Sequence, residues 1–241
     1  MIKAILFDLD GTLLPMDTEA FISTYMSELA GKVSHIISSD IFTKALWNGT
    51  KAMMSDTNSA KTNEKVFEDV FLKETGLERE DIWPVLDEFY IKTFPSFSYL
   101  CHSHPIARQI VEEAVKKHYK IAVATNPVFP KAAIHHRLEW AGISDIPFDL
   151  VTVYEESTFT KPHKQYYESI AQQLGVHPSE CVMVGNDKQE DMAASLSGMK
   201  TFLIEGFVID RGKPQYEIDA KGSLEDFFLM LKRDQGIFLN N

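Results

Sequence analysis

Ile2 to Phe7 is a near-continuous apolar run rich in β-forming residues, and it stops at two carboxylates one residue apart, Asp8 and Asp10, followed at once by Gly11 and Thr12. A run of this kind is how a strand buried on both faces of a parallel sheet reads. Asp is depleted inside strands, and open α/β sheets bind ligands beyond the carboxyl ends of their strands. A strand ending in Asp-Leu-Asp-Gly-Thr therefore delivers two acids to the edge where chemistry is done. Taken alone, the same residues also read as a polar turn after a strand.

After Leu14 the expected alternation of strand and helix is interrupted. From Pro15 to about Pro95 the patterns are helical, with no convincing strand. Asp17 or Thr18 caps a helix carrying Ala20, Phe21, Tyr25 and Leu29, stopped by Gly31. Ile41, Phe42, Ala45 and Leu46 mark a second. Thr62 caps a third (Val66, Phe67, Val70, Phe71) closed by Gly76, and Arg79 to Lys92 forms a fourth, with Pro84 in its first turn where proline is tolerated. Met54 to Asn63 reads as a loop. The domains expected are thus a catalytic core of residues 1–14 plus 100–241 and an inserted helical cap of residues 15–99.

The alternation then resumes. Helices are expected from Pro105, over Lys131 to Ala141, from Pro162 or His163 to Leu174, after Asp187 to about Ser197, and from Ser223 to Lys232. Strands are expected at Lys120–Ala124, Phe148–Val153, Cys181–Val184 and Thr201–Ile204. Strands separated by helices of this length form β-α units around a parallel sheet, so the fold class is α/β, a Rossmann-like parallel sheet flanked by helices with an all-helical insert.

Composition narrows the function. A formal net charge of −11 opposes nucleic acid, which demands clustered Lys and Arg, and opposes docking on an anionic membrane. The two cysteines, Cys101 and Cys181, make no disulfide framework. No segment approaches the roughly 18 apolar residues of a membrane span. The first strand starts at Ile2, leaving no room for a signal peptide, so a cytoplasmic location is expected.

Most strand ends carry a polar group. The first gives Asp8 and Asp10, the second Thr125 and Asn126; the segment after Val151 leads to Lys161, and the next strand ends at Asp187, with Glu190 and Asp191 one helical turn on. If these strands are parallel and in register, the groups converge on one edge. Crowded carboxylates raise one another's pKa unless a cation sits among them. A few oxygen ligands select a hard ion such as Mg²⁺, which takes one or two carboxylates plus a substrate phosphate. A carboxylate is a competent nucleophile for phosphorus. A second acid two residues on points to the same side of extended backbone and can protonate the leaving oxygen, then deprotonate water. Thr125, backbone N–H groups and Lys161 can hold the phosphoryl charge.

The chain resembles the haloacid dehalogenase superfamily of phosphohydrolases in four motifs that occur in the family's order: Asp8-Leu-Asp10-Gly-Thr12, Ala124-Thr125-Asn126, Lys161-Pro162, and Gly185-Asn-Asp187-Lys-Gln-Glu-Asp191. The resemblance implies that Asp8 is the nucleophile, forming an aspartyl-phosphate, and that Asp10 is the general acid and base, with its backbone carbonyl on Mg²⁺. It implies that Thr125 binds phosphate, with Asn126 beside it on the substrate side. It further implies that Lys161 steadies nucleophile and phosphate, Asp187 binds metal together with Asp8, and Asp191 holds Lys161 or the metal's water shell. Thr12 buttresses the turn. The insert corresponds to the family's cap, which closes over the site and selects substrate. One departure stands out. The family has Gly-Asp where this chain has Gly185-Asn186-Asp187, so either Asp187 and Asp191 or Asn186 and Glu190 fill the two acidic slots. Both pairs share the four-residue spacing of one helix face. Hard cations prefer anionic oxygen, which favours Asp187 and Asp191; Asn186 is left as a neutral ligand or a contact to metal-bound water.

The leading reading is a Mg²⁺-dependent phosphatase acting on a small phosphorylated metabolite, as a monomer or homodimer. Asp10 carries it, because the dehalogenating members of the family lack an acid there. The alternatives are a sugar-phosphate mutase and a catalytically inactive regulatory scaffold. A phosphonate hydrolase would need a marked cap lysine, and nothing distinguishes Lys44, Lys51 or Lys61. His102 and His104 read as a loop rather than a metal pair, His135 and His136 as solvent or packing residues, Met53-Met54 as packing, and Trp47, Trp83 and the cap's phenylalanines as cap core, with one or two of them facing substrate.

Overall fold

A computed structural model describes residues 1–239. Strand β1 (Ala4–Phe7) is completely buried, as its unbroken apolar run requires. Helices α1 (Thr18–Val33), α2 (Ser39–Ser55), α3 (Asn63–Thr75) and α4 (Arg79–Glu88) follow, then a π-helical turn at Phe89–Thr93 and a 3-10 helix at Phe94–Leu100. The alternating part comprises α5 (Pro105–Lys116), β2 (Lys120–Val123), α6 (Lys131–Trp140), β3 (Leu150–Val151), α7 (Lys164–Leu174), β4 (Cys181–Gly185), a 3-10 helix (Asp191–Ser197), β5 (Lys200–Ile204), β6 (Ala220–Gly222) and α8 (Leu224–Lys232).

All six strands are parallel, in the order β3-β2-β1-β4-β5-β6. The chain runs from β1 outward to β3, then crosses to β4 on the other side and runs outward again. The β1/β4 boundary is therefore the topological switch point, where open sheets of this kind bind ligands. Register makes the strand ends level: Phe7 stands beside Val123 on one side and Val184 on the other. Side chains alternate between two cores. Ile5, Phe7, Ile121, Val123, Val182 and Val184 face the larger one, which includes α5 and α8. Ala4, Leu6, Ala122, Cys181 and Met183 face the smaller, covered by Tyr166, Tyr167, Ile170 and Leu174 of α7.

The expected helices all form, with shifted ends. Helix α1 runs past Gly31 to Val33, since glycine tolerates a helix interior at a cost of only about 1 kcal/mol and Leu29, Ala30 and Val33 gain burial. The α2 helix reaches Ser55, so the loop expected from Met54 is shorter. Thr62 caps α3 and Gly76 closes it in the left-handed conformation, as read from the sequence. Pro84 lies a turn further in than expected, and α4 ends at Glu88 instead of running to Lys92. The wider π turn lets the adjacent Phe89 and Tyr90 both be buried. The helix expected after Asp187 is a 3-10 helix. Strand β6 was not anticipated: Ala-Lys-Gly has no β signature, and the segment is an edge strand of three residues paired with β5.

The chain enters and leaves the insert side by side. Met16 bridges Cys101, and the His102 N–H donates to the Pro15 carbonyl at 3.1 Å. At its far end the insert is tied to the sheet layer. Buried Asn63 donates from Nδ2 to the Pro127 carbonyl at 3.0 Å, and the Asn63 and Glu64 N–H groups donate to Ser157 and Tyr154 carbonyls. His163 Nε2 is 2.8 Å from the Met54 carbonyl oxygen. No helix among the described residues is long and apolar enough to cross a membrane, and both cysteines are buried free thiols.

Candidate active site

Level strand ends at the switch point put the four polar segments on one floor. Asp8 leaves β1 and its N–H donates to the Val184 carbonyl at 2.9 Å. Lys161 Nζ lies between two carboxylates, 2.8 Å from Asp8 Oδ1 and 2.5 Å from Asp191 Oδ1. All three side chains are buried. Burial alone would drive the Lys161 ammonium towards neutrality; the Asp191 and Asp8 charges override it and hold the proton well above the ordinary lysine range. Burial pushes the Asp8 carboxyl up, against the pull of Lys161. Burial likewise raises Asp191, with Asp8 adding to the effect. A buried charge is tolerated when paired and hydrogen-bonded, and this trio is both.

Two glycines make the floor possible. A Cβ on Gly185 would sit 2.1 Å from Asp191 Oδ2, so only glycine lets that carboxylate fold back under the strand end, where it also accepts from the Asp187 N–H at 2.9 Å. Gly11 has φ +82°, and a Cβ there would meet Asn186 Nδ2 at 2.3 Å. The Thr12 hydroxyl is 3.1 Å from Asp8 Oδ2 and 3.0 Å from Asn186 Oδ1, so its one proton is shared between the first and fourth motifs.

The sequence-predicted residues are brought together, with a division of labour finer than expected. Asp191 reaches Lys161, whereas Glu190 accepts from Asn126 Nδ2 at 3.1 Å. Asn126 Oδ1 also accepts from the Lys161 N–H at 3.3 Å. Asn126 thus straps the second, third and fourth motifs together. Asn186 is engaged at both ends, by Thr12 and by the Phe207 carbonyl at 2.7 Å. Thr125 is buried at the cavity wall, its carbonyl accepting from Thr152 at 2.7 Å and Tyr166 at 2.8 Å. The histidines stay outside: His104 caps α5, and His135 and His136 both approach Glu139. Trp83 is buried and Trp47 is 53% exposed, and both line the cavity, as cap aromatics facing it would.

Two arginines escaped sequence reasoning. Arg137 of α6 is 1% exposed and pairs through Nη1 with Asp10 Oδ2. Its guanidinium lies 4.1 Å from the centre of the Phe129 ring, a cation–π distance. The signal was an arginine on the apolar face of α6, with Ala133, Ile134 and Leu138. Asp10 Oδ1 is buried without a partner, so the acid keeps a free acceptor site. Arg211, in the β5–β6 connection, grips Asp187 at 2.8 and 2.7 Å. The Gln189 side chain sets Arg211 by accepting from its N–H at 2.7 Å. A connection far along the chain carries no local sign of this.

These residues can hold a divalent cation on grounds of charge and donor type. Asp8, Asp10, Asp187, Glu190 and Asp191 are five carboxylates facing three cations, Lys161, Arg137 and Arg211. The surplus is two negative charges, at a floor made of hard oxygen donors. No group of three or more His, Cys, Asp or Glu side chains with metal-binding geometry occurs among the described residues. A magnesium ion does not need one, since it takes one or two carboxylates and fills its shell with waters and phosphate oxygens.

The floor opens into a cavity of about 380 Å³ roofed by α1, α2, α3 and α4. Residues 2–197 match the family model for haloacid dehalogenase-like hydrolases. The chain belongs to the haloacid dehalogenase-like hydrolase family. Among relatives of this hydrolase, a ribulose-1,5-bisphosphate 5-phosphatase of Halopiger xanaduensis is 28% identical over 231 residues, 93% of this chain and 90% of that protein. Pyrophosphatase PpaX of Oceanobacillus iheyensis is 25% identical over 209 residues, covering 83% of this chain and 82% of its own. A glyceraldehyde 3-phosphate phosphatase of Methanopyrus kandleri is 26% identical, over 97% of this chain and all of that one. Among solved structures, a family phosphatase from Thermococcus onnurineus superposes with a TM-score of 0.58 at 23% identity, covering 95% of this chain and 98% of its own. An L-2-haloacid dehalogenase from Xanthobacter autotrophicus gives 0.58 at 19%, covering 96% and 99%. These likenesses share the fold of this haloacid dehalogenase-like hydrolase, across members with both chemistries.

Proposed function

We propose that the chain is a Mg²⁺-dependent phosphatase that cleaves a small phosphate monoester through an aspartyl-phosphate on Asp8. The observation that carries this reading is the buried Lys161 ammonium bonded to both Asp8 and Asp191 at the switch point. It holds one oxygen of Asp8, while the other accepts from the Thr12 hydroxyl, and Asp8 lines the cavity. In the first step Asp8 attacks phosphorus and the ester P–O bond breaks. Asp10 protonates the departing alkoxide. In the second step Asp10 takes a proton from water, whose oxygen attacks the aspartyl-phosphate; inorganic phosphate leaves and Asp8 is restored. Lys161 neutralises charge that develops on the phosphoryl oxygens, and electrostatic stabilisation of this kind is a large part of catalysis. Magnesium, held by Asp8, Asp187 and the Asp10 carbonyl, would screen phosphoryl charge from the attacking carboxylate.

The presence of an acid at position 10 favours phosphoryl transfer over dehalogenation, since a halide leaves without a proton. The curated relatives, all named as phosphatases or pyrophosphatases, support the same choice. A cytoplasmic location is part of this proposal; two buried unpaired thiols suit a reducing compartment. Whether the protein acts as a monomer or homodimer is open to sedimentation.

The test is release of inorganic phosphate from p-nitrophenyl phosphate with Mg²⁺. Wild type is expected to be active and to lose activity in EDTA, and Asp8→Asn to be inactive with an unchanged circular dichroism spectrum. Asp10→Asn is expected to lose about 10²–10⁴ in kcat on an alkyl ester; on p-nitrophenyl phosphate, whose leaving group needs little protonation, the first turnover is expected to survive as a burst of p-nitrophenolate while steady-state kcat still falls, because Asp10 also activates the water. Isomerisation of a sugar monophosphate without phosphate release would support a mutase, and inertness of wild type across a broad panel of esters would support a scaffold.

A further inference from the structure

The cavity above Asp8 has an unusual asymmetry of charge. Its floor carries every cationic group. The arginines that line it, Arg137 and Arg211, both belong to the floor side and are each held by carboxylates, Asp10 for the first and Asp187 with Glu190 for the second. Among the described residues, no lysine or arginine of the helical insert lines the cavity. The roof is instead built mainly from Ile22, Met26, Leu46, Met54, Trp83 and Leu86, with two hydroxyl residues, Thr18 and Thr50, the latter donating to the Leu46 carbonyl at 2.9 Å. Tyr25 and Tyr90 also line it, with hydroxyls 2.7 Å apart, so that one donates to the other. The charged group of the roof is Asp87, an acid.

A second phosphate would find no counter-charge on this roof and would meet Asp87. A sugar could set a hydroxyl against Asp87 or Thr18, but most of its hydroxyls would meet methyl, thioether and ring carbons, where an unsatisfied hydroxyl loses its water without replacement. An alkyl chain or single aromatic ring would gain on every contact. The volume of about 380 Å³ lies within the range of pockets that enclose a small organic ligand. We infer that the alcohol released is apolar and uncharged, an aliphatic or single-ring aromatic group, rather than a sugar or a second phosphate. The named substrates of the relatives, pyrophosphate, a bisphosphate and a phosphorylated aldehyde, are then not the model for this chain. The inference rests on the phosphatase reading and deepens it by naming the substrate class.

The experiment uses the full chain with Mg²⁺ and a series of equal chemical reactivity: methyl, butyl and hexyl phosphate, against pyrophosphate and glucose 6-phosphate. Expected is a rise in kcat/KM of about fourfold per methylene from methyl to butyl phosphate. Pyrophosphate and glucose 6-phosphate are expected to lie roughly a hundredfold below butyl phosphate. Met26→Lys, which puts a cation on the roof, is expected to lower the ratio of hexyl phosphate to pyrophosphate turnover by about tenfold or more. A flat alkyl series, or pyrophosphate or glucose 6-phosphate turned over as well as butyl phosphate, overturns the inference and leaves the phosphatase intact. If no ester is hydrolysed, p-nitrophenyl phosphate included, the phosphatase reading falls instead. Calorimetric binding of methyl- and hexylphosphonate then still decides the pocket: tighter binding of the hexyl compound supports it, and equal binding overturns it.

Discussion

At the scale of single residues, Lys161 is where stability and chemistry meet. Removing one partner from a buried ionic cluster leaves an uncompensated charge and costs about 3–5 kcal/mol, whereas replacing the whole cluster by apolar groups can be neutral. Lys161→Met strands Asp8 and Asp191 together under the sheet edge, so urea unfolding is expected to show a loss in that range. Lys161→Met/Asp191→Leu removes the second buried charge and is expected to recover much of that stability with no recovery of activity. If the double variant is less stable than Lys161→Met, the cluster is held by packing rather than by charge pairing. The acids and the lysine were legible in the sequence, because the pattern of strand ends names them, whereas the close approach of Asn186 to Gly11 and of Asp191 to Gly185 shows only in the fold. Arg137 and Arg211 were not. An arginine's role depends on which carboxylate its long stem reaches, and both partners lie more than twenty residues away in the chain.

At the scale of elements, strands buried on both faces and capped helices were readable because burial and capping are local demands. Thr62 and Gly76 bound α3 as expected. The edge strand β6 and the 3-10 character of Asp191–Ser197 were not, since pairing with β5 and the pull of Asp191 towards Lys161 decide them. The insert's attachment was equally hidden, and it rests on Asn63. This residue stands at the start of α3, is 1% exposed, and reaches the loop that follows the second motif. Asn63→Ala strips the donor from the Pro127 carbonyl and empties the space beside it. A buried group left unsatisfied costs about 1–3 kcal/mol, so a drop in stability of that size is expected. Because the lost bond lies between insert and sheet layer, tryptic cleavage at Lys61 in the neighbouring loop is expected to quicken more than global unfolding does. An unchanged cleavage rate would show that the insert is held by its apolar contacts alone.

At the scale of the whole molecule, the question is how an acidic protein captures an anion. The net charge is −11, and the cavity floor itself carries a surplus of two negative charges. On the proposed function saturating Mg²⁺ would offset the floor, but the rest of the surface would still repel a phosphate dianion from a distance. Salt shortens that repulsion: the Debye length falls from about 30 Å at 0.01 M to about 8 Å at 0.15 M. Most acidic side chains then stop acting on a substrate at the cavity mouth, while a fully enclosed Lys161 is screened far less. Raising ionic strength with NaCl at fixed free Mg²⁺ is therefore expected to lower KM for an alkyl phosphate roughly two- to fivefold, leaving kcat nearly constant. An enzyme steering its substrate by a cationic mouth does the opposite. A KM that rises with salt would mean that a local positive field, from the half-exposed Arg211 of the floor and the proposed metal, reaches beyond the cavity and dominates capture.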